Sequence, residues 1–298
     1  MSLNGLIIYN GSLYSEKFID YANMLKHAAI KKGHTIRLIK NNEIHSLLKT
    51  NEATLLSQTT LKAIDYIIFT DKDIYLAHHL EAMGYRLFNS AHATEVSDDK
   101  IKSYQTLAKK NLPIPKTLIA PKNFINPFEN NANFLNHAIE YFNFPFVIKE
   151  AFGSFGEQVY LVHNKSDVEN ALNKIGNRPF MCQEFITSSY GKDIRLQVVG
   201  DDVITTMKRS SEIDFRANIT SGGKMDTYTP SEAEKSLAIT ATKALGLDFA
   251  GVDLLFGENS KRVICEVNSN AHIRNLLDCT GVNVADSIIE YIDREVKK

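Results

Sequence analysis

The segment Ala250-Gly251-Val252-Asp253-Leu254-Leu255-Phe256 runs into a polar turn, Gly257-Glu258-Asn259-Ser260, and then into Arg262-Val263-Ile264-Cys265-Glu266-Val267-Asn268. Two apolar, β-branched runs around a short Gly/Asn turn predict a β-hairpin. With the turn centred near Asn259 and Ser260, Asp253 falls opposite Glu266. Side chains alternate faces along a strand, so Glu266 and Asn268 share one side. Three oxygen ligands thus converge on one face of a sheet whose neighbouring positions, Val252, Leu254, Cys265 and Val267, are apolar. Two adjacent carboxylates repel, and burying them is costly unless a cation neutralises them. Oxygen donors without His or Cys suit magnesium, typically held by one or two carboxylates plus substrate phosphates. Taken alone, the hairpin also allows a solvated acidic face.

The chain has 298 residues, enough for one large core or two to three smaller ones. Its 44% hydrophobic and 23% charged content is that of an ordinary globular protein. A net charge of −1 gives no electrostatic footprint for nucleic acid. No apolar stretch is long enough to span a membrane, and residues 3–9 are too short for a secretory signal, so neither a membrane nor a secretory route is expected. Cys182, Cys265 and Cys279 form no C-x-x-C pair. They read as reduced cysteines of a cytoplasmic protein. The histidines are scattered and match no zinc motif.

The first hundred residues alternate strand and helix patterns. Strands are expected at 6–9, 35–39, 63–69 and 85–88, with a helix from about residue 15 to 32 (Ala22, Leu25 and Ala29 at helical spacing) and another at 74–83. This argues for a parallel sheet with helices on its faces. A helix start at Ser97-Asp98-Asp99-Lys100 leads to a helix ending near residue 110, and Pro113 and Pro115 break the chain after it. The middle segment carries a helix near 132–142, strands at 146–149, 158–162 and 180–185, and a helix at 166–175. The last third reads as antiparallel strands at 193–199 and 203–208, a helix at 231–245, the opening hairpin and a terminal helix from about Val284. The expected class is α/β followed by α+β, with domains at 1–96, 97–187 and 188–298. Residues 126–136 are Asn-rich and read as an exposed loop.

Four further features precede the hairpin. Strand 146–149 ends in Lys149, directly before Gly153-Ser154-Phe155-Gly156. Such a loop can fold backbone N–H groups over phosphates with the lysine as a point charge, although Gly-Ser turns are commonplace. Met181-Cys182-Gln183-Glu184-Phe185-Ile186 reads as a linker able to present backbone groups to an adenine edge, and Asp193 follows where it could hold a ribose hydroxyl. Lys208, Arg209, Arg216 and Asn218 cluster in a loop-like stretch ending in Ser221-Gly222-Gly223, which fits a phosphate or carboxylate site or a solvated charged loop. Asp99-Lys100 could reach a phosphate or be a helix-start charge pair.

In this order the features resemble the ATP-grasp superfamily, and most closely the RimK-type carboxylate–amine ligases. The resemblance runs from about Asp98 to Glu290. Its most specific pieces are Gly191-Lys192-Asp193-Ile194-Arg195, Asp214-Phe215-Arg216-Ala217-Asn218, Ala250-Gly251-Val252-Asp253 and Cys265-Glu266-Val267-Asn268. It implies an ATP-grasp fold in which two α+β lobes clasp ATP behind an N-terminal α/β domain. By position, it implies Lys100, Lys149 and Lys208 at the ATP phosphates, Gln183, Glu184, Phe185 and Ile186 at the adenine, and Asp193 at the ribose. Asp253, Glu266 and Asn268 would hold two magnesium ions, with manganese as a substitute, and Arg216 and Asn218 would sit at the transferred phosphoryl group. The chain departs from the family after Asn268. Ser269-Asn270-Ala271-His272 replaces a Ser-Pro-Gly-like turn, and Arg274-Asn275 stands where Glu-Gly is common, which makes His272 and Arg274 candidates for reading the substrate.

The implied reaction activates a carboxylate as an acyl phosphate, which an amine attacks, with ADP and phosphate released. The partners are then a small carboxylate and amine, glutamate being the first expectation, or a peptide or protein acceptor. The family suggests a homo-oligomer. The alternatives are a non-catalytic ATP-binding regulatory module and a D-alanine–D-alanine-like ligase.

Overall fold

The computed structural model describes residues 2–13, 16–56, 61, 63–124, 132–154, 156–217 and 222–298. Asn218 and Ser221, and the Asn-rich stretch as far as residue 131, lie outside the described residues.

The chain opens with β1 (Asn4–Tyr9), α1 (Glu16–Lys31) and β2 (Thr35–Lys40), then a small hairpin of β3 (Ser46–Lys49) and β4 (Glu52–Leu55). β5 (Tyr66–Phe69), α2 (Ile74–Ala82) and β6 (Leu87–Phe88) complete a four-stranded sheet of order β2-β1-β5-β6, its pairings all parallel. Apolar runs such as Leu6-Ile7-Ile8 and Tyr66-Ile67-Ile68-Phe69 are fully buried, as parallel strands covered on both faces must be. Ala22, Leu25 and Ala29 of α1 are buried at the expected helical spacing. The β3–β4 hairpin was not anticipated, because it is short and its Leu48 is exposed rather than buried in an alternating pattern.

Next come α3 (Ala91–Asp98) and α4 (Lys100–Lys109), split at Asp99. The Asp99 carboxylate accepts from the backbone N–H groups of Ile101 and Lys102, capping α4. The expected helix start is therefore that of α4, while α3 just before it went unread. β7 (Thr117–Ile119), α5 (Ala132–Phe142), β8 (Phe146–Glu150), β9 (Val159–Val162), α6 (Lys165–Ile175) and β10 (Phe180–Glu184) build an antiparallel sheet of order β7-β10-β8-β9.

The last third folds as β11 (Lys192–Val199), β12 (Asp202–Ser210), β13 (Lys224–Thr227), α7 (Glu232–Ala244), β14 (Phe249–Phe256), β15 (Arg262–Asn268), α8 (Arg274–Thr280) and α9 (Val284–Val296). Its five-stranded antiparallel sheet runs β13-β12-β11-β14-β15. Ile194, Leu196, Val252 and Leu254 pack with Ala238 and Ala241 of α7 in one core. Alternation therefore sends Asp193, Arg195 and Asp253 to the opposite face. Ile288 and Ile292 of α9 share another core with Tyr21 and Leu25 of α1, which ties the end of the chain to its first sheet.

Candidate active site

The face opposite α7 carries the site. Asp253 pairs with Glu266 across β14 and β15, and Gly251 pairs with Asn268, with an irregularity in the ladder just after Asp253. Gly251 is the position that admits this geometry: a Cβ there would come within 2.4 Å of the Cβ of Ala271, in the loop that follows Asn268. Glu266 Oε1 meets Lys100 Nζ at 3.0 Å. Burial works to raise the Glu266 carboxyl, but Lys100 outweighs it and holds the group below its ordinary value.

Asp253 is 4% exposed and held by two guanidinium groups. Arg195 donates Nε to Oδ1 and Nη2 to Oδ2, each at 2.7 Å, and Arg209 Nη2 reaches Oδ2 at 3.0 Å. Burial pushes this carboxyl up, yet the two arginines outweigh it and keep it ionised. A divalent cation fits these groups because the donors are hard oxygens. The amide nitrogen of Asn268 is buried with no hydrogen-bond partner; as a donor it cannot ligate a cation but can meet an anionic oxygen of a ligand. Asp253 Oδ1 takes one guanidinium contact and keeps a second lone pair. Among the described residues no three His, Cys, Asp or Glu side chains gather around one point, so the shell of such an ion needs phosphates and water.

Lys149 is buried at the end of β8, its Nζ 3.4 Å from the Tyr104 hydroxyl and 4.0 Å from Cys265 Sγ. Burial disfavours its ammonium, but Cys265, Tyr104 and Glu266 beside it hold it above the ordinary lysine range. Cations also pin the glycine loop through its carbonyls. Lys100 Nζ donates to Gly153 O at 2.9 Å, and Arg216 Nη1 donates to Gly156 O. Arg216 is itself gripped by Asp214 through Nε at 3.0 Å and Nη2 at 2.7 Å.

The expected adenine linker follows β10. Gln183 is buried, donating Nε2 to Thr117 Oγ1 at 2.9 Å, and Glu184 accepts from the Lys116 N–H at 3.1 Å. Phe185 and Ile186 are partly buried, and the Phe185 ring meets Tyr190 and Phe215 edge-on at 6.1 and 6.2 Å. Gly191 turns the chain back into β11 with φ +60°, where a Cβ would lie 2.3 Å from the Ser211 carbonyl oxygen.

Lys208 lies in β12, as the strand expected at 203–208 has it, and pairs with Ile194, whose side chain lies in the α7 core. The cation on the site face is its neighbour Arg209, paired with Asp193. Alternation explains the exchange, because adjacent strand residues face opposite ways. Arg195 and Asn89 were also missed. Asn89, 1% exposed, accepts from the N–H groups of Asp248 and Phe249 and donates to the carbonyls of Phe249 and Ser269. His272 and Arg274 converge on Asp20 of α1: Arg274 donates Nε at 3.0 Å and Nη2 at 2.6 Å, and His272 Nε2 lies 3.7 Å away. Asn270 Nδ2 donates to the Asp71 carbonyl at 3.1 Å, so the chain after Asn268 reaches both α1 and the turn that follows β5.

Comparison with known proteins places this architecture among the ATP-grasp folds. A D-alanine–D-alanine ligase from Bacillus anthracis, solved with ATP, superposes with a TM-score of 0.73 at 17% identity, covering 99% of each chain. The ATP-grasp ligase PsnB, solved with a minimal precursor, Mg and ADP, gives a TM-score of 0.70 at 15% identity, covering 99% of this chain and 98% of PsnB. A "probable alpha-L-glutamate ligase 2" of Shewanella denitrificans is 31% identical over 298 residues, 97% of this chain and 94% of that protein. The RimK-like ATP-grasp domain matches residues 97–292. The chain belongs to the RimK-like ATP-grasp family. It is an ATP-dependent ligase of the carboxylate–amine type. Among the described residues, no helix is long and apolar enough to cross a membrane.

Proposed function

We propose that the protein joins a carboxylate to an amine through an acyl phosphate, releasing ADP and phosphate, with an amino acid such as L-glutamate as one substrate. The observation that carries this reading is the pairing of Asp253 with Glu266 beneath a glycine loop whose carbonyl is held by the same lysine that meets Glu266. A carboxylate does not condense with an amine at neutral pH because its oxygen is a poor leaving group. Transfer of the γ-phosphoryl group of ATP to that oxygen makes phosphate the leaving group. The amine then forms the C–N bond, the C–O bond to phosphate breaks, and the amine loses a proton.

Asp253, Glu266 and Asn268 would hold two magnesium ions, or manganese in their place, which neutralise the phosphate oxygens when bound. Lys100 and Lys149 supply fixed positive charge to the phosphates. Arg216, anchored by Asp214, supplies charge where the γ-phosphoryl group moves, and Asn218 stands two residues further along the same segment. Gln183, Glu184, Phe185 and Ile186 line the adenine edge. The glycine loop excludes water that would hydrolyse the acyl phosphate. Bidentate grip by Asp20 presents Arg274 beside His272, in the loop that runs on from Asn268, where the acyl or amine substrate is read. The Shewanella relative supports glutamate, and PsnB, solved with a precursor, supports a peptide acceptor as a second form of amine. Asp253→Asn and Glu266→Gln are expected to abolish ADP release with the circular dichroism spectrum unchanged; retained turnover in both variants contradicts the assignment.

A further inference from the structure

The first sheet places β2 on one side of β1 and β5 on the other. In open parallel sheets, ligands bind in the crevice beyond the carboxyl ends of strands that diverge in this way. Asn10 is the first residue after β1 and Asp71 the second after β5, so both stand at that crevice. The turn that carries Asp71 also touches the candidate active site on two sides. Lys72 Nζ donates to Ser154 Oγ of the glycine loop at 3.3 Å, and Asn270 Nδ2, just beyond Asn268, donates to the Asp71 carbonyl at 3.1 Å.

Asp71 is 7% exposed. Its Oδ1 accepts from the Lys72 N–H at 2.7 Å and from Asn10 Nδ2 at 3.0 Å. Oδ2 has only a 3.2 Å share of the same Asn10 amide. An ionised carboxylate offers about four acceptor sites, so Oδ2 keeps open capacity. What Asp71 lacks is a cation. The other buried carboxylates among the described residues each meet an arginine: Glu150 meets Arg178, Asp193 meets Arg209, Glu234 meets Arg262 and Asp253 meets Arg195, all at 2.5–2.7 Å. Asp71 forms no ion pair among the described residues, and the ammonium of its neighbour Lys72 turns to Asp98 instead. Burial accordingly pushes the Asp71 carboxyl up. A buried carboxylate is costly without a partner, and a carboxylate kept in that condition beside a ligand crevice is suited to a cation that arrives with the ligand.

We propose that Asp71 is the counter-ion of the ammonium group of an amino-acid substrate, bound in the crevice between β1 and β5. This assignment rests on the reading of an amino acid as one substrate. Amino acids carry a protonated amino group at neutral pH, and one of its N–H groups reaches Oδ2 while Asn10 and the Lys72 N–H hold the carboxylate in place.

The test compares amino acids with their desamino counterparts. ADP release is measured for the unaltered chain, Asp71→Asn and Asp71→Ser with L-glutamate and with every other amino acid that supports release. Beside each KM stands the inhibition constant of the matching desamino acid, glutarate in the case of L-glutamate. Asp71→Asn is expected to raise KM for the amino acid by about 10–100-fold, the range of a hydrogen bond to a charged group. The inhibition constant of the desamino acid should stay the same or fall, because the carboxylate which that acid leaves unpaired is gone. A merely structural role would weaken the amino acid and its desamino counterpart alike. Equal weakening of both, or an unchanged KM for every amino acid, overturns the inference and leaves the ligase reading standing. Should Asp71→Asn not fold, Asp71→Ser decides on the same two constants. If no amino acid supports ADP release by the unaltered chain, the substrate reading fails and this inference fails with it.

Discussion

Lys100 Nζ sits 3.0 Å from Glu266 Oε1 and donates to the Gly153 carbonyl at 2.9 Å, so a single ammonium joins the glycine loop to the hairpin carboxylate. The loop is thereby held over the face that carries Asp253 and Asn268. Replacing Lys100 by Met removes the tie and leaves the partly exposed Glu266 carboxylate short of its main neutralising charge. The variant is expected to lower kcat/KM for ATP by about 10²-fold, in line with loss of one preorganised donor. Hydrogen exchange of residues 151–158 should rise at the same time. Unchanged kinetics with unchanged exchange would show that the contact carries neither role.

Gly251 tests how closely the loop after Asn268 packs on the sheet. An added Cβ meets the Cβ of Ala271 at 2.4 Å, too close for two carbon atoms. Gly251→Ala is expected to destabilise the fold by about 1–3 kcal/mol through overpacking, and to depress activity by moving Asn268. The second change Ala271→Gly removes the clashing methyl group and should restore most of both losses, because the two sites share one contact. Chemical denaturation of the single and double variants measures this directly; a double variant as unstable as Gly251→Ala places the strain elsewhere.

Acid stability has an identifiable contributor at the start of α7. Burial raises the Glu234 carboxyl, but the Ser231 N–H and hydroxyl, Tyr228 and Arg262 outweigh it and hold it below its ordinary value. A carboxylate depressed in the folded state adds stability above its unfolded pKa and loses that stability as pH falls through its folded pKa. Glu234→Gln should therefore cost most at neutral pH, about 1.5–3 kcal/mol for hydrogen bonds to a charged group, and progressively less as the medium becomes acidic. Urea unfolding at several pH values reads the difference, and a cost that does not change with pH would contradict it.

Arg274 and Asp20 are expected to behave as a unit. Arg274→Ala and Asp20→Ala should each raise KM for the amine or carboxylate substrate and leave KM for ATP unaltered. Combined, they should cost less than the sum of the single losses, since either change already breaks the same bidentate pair. Additive losses would separate the two residues.

Local chemistry was legible in the sequence where period and turn decide it. The placement of Asp253 opposite Glu266 followed from two apolar runs about a short turn, and the ladder has that pairing. The strand ending at Lys149 before the glycine loop and the Ser231-led helix follow the same logic. Period says which side of its own strand a residue occupies, but not which strand lies alongside. Arg195 and Arg209 therefore could not be assigned to Asp253 and Asp193, because that requires knowing that β11 sits between β12 and β14. Lys208 was chosen over Arg209 for the same reason, since a charged run has no face until its strand is placed. Asn89 lies roughly 160 residues from the backbone it clamps, and neither periodicity nor motif spacing carries a signal over that separation.

The measurement that bears most directly on the central claim is ADP release with magnesium and ATP across a panel of amino-acid and peptide pairs, followed by mass spectrometry of each mixture. The account expects release that depends on one class of pair, glutamate first among them, with a product lighter than the sum of its substrates by one water. Protein that binds ATP yet releases no ADP and forms no condensed product with any carboxylate and amine, peptide acceptors included, would contradict it.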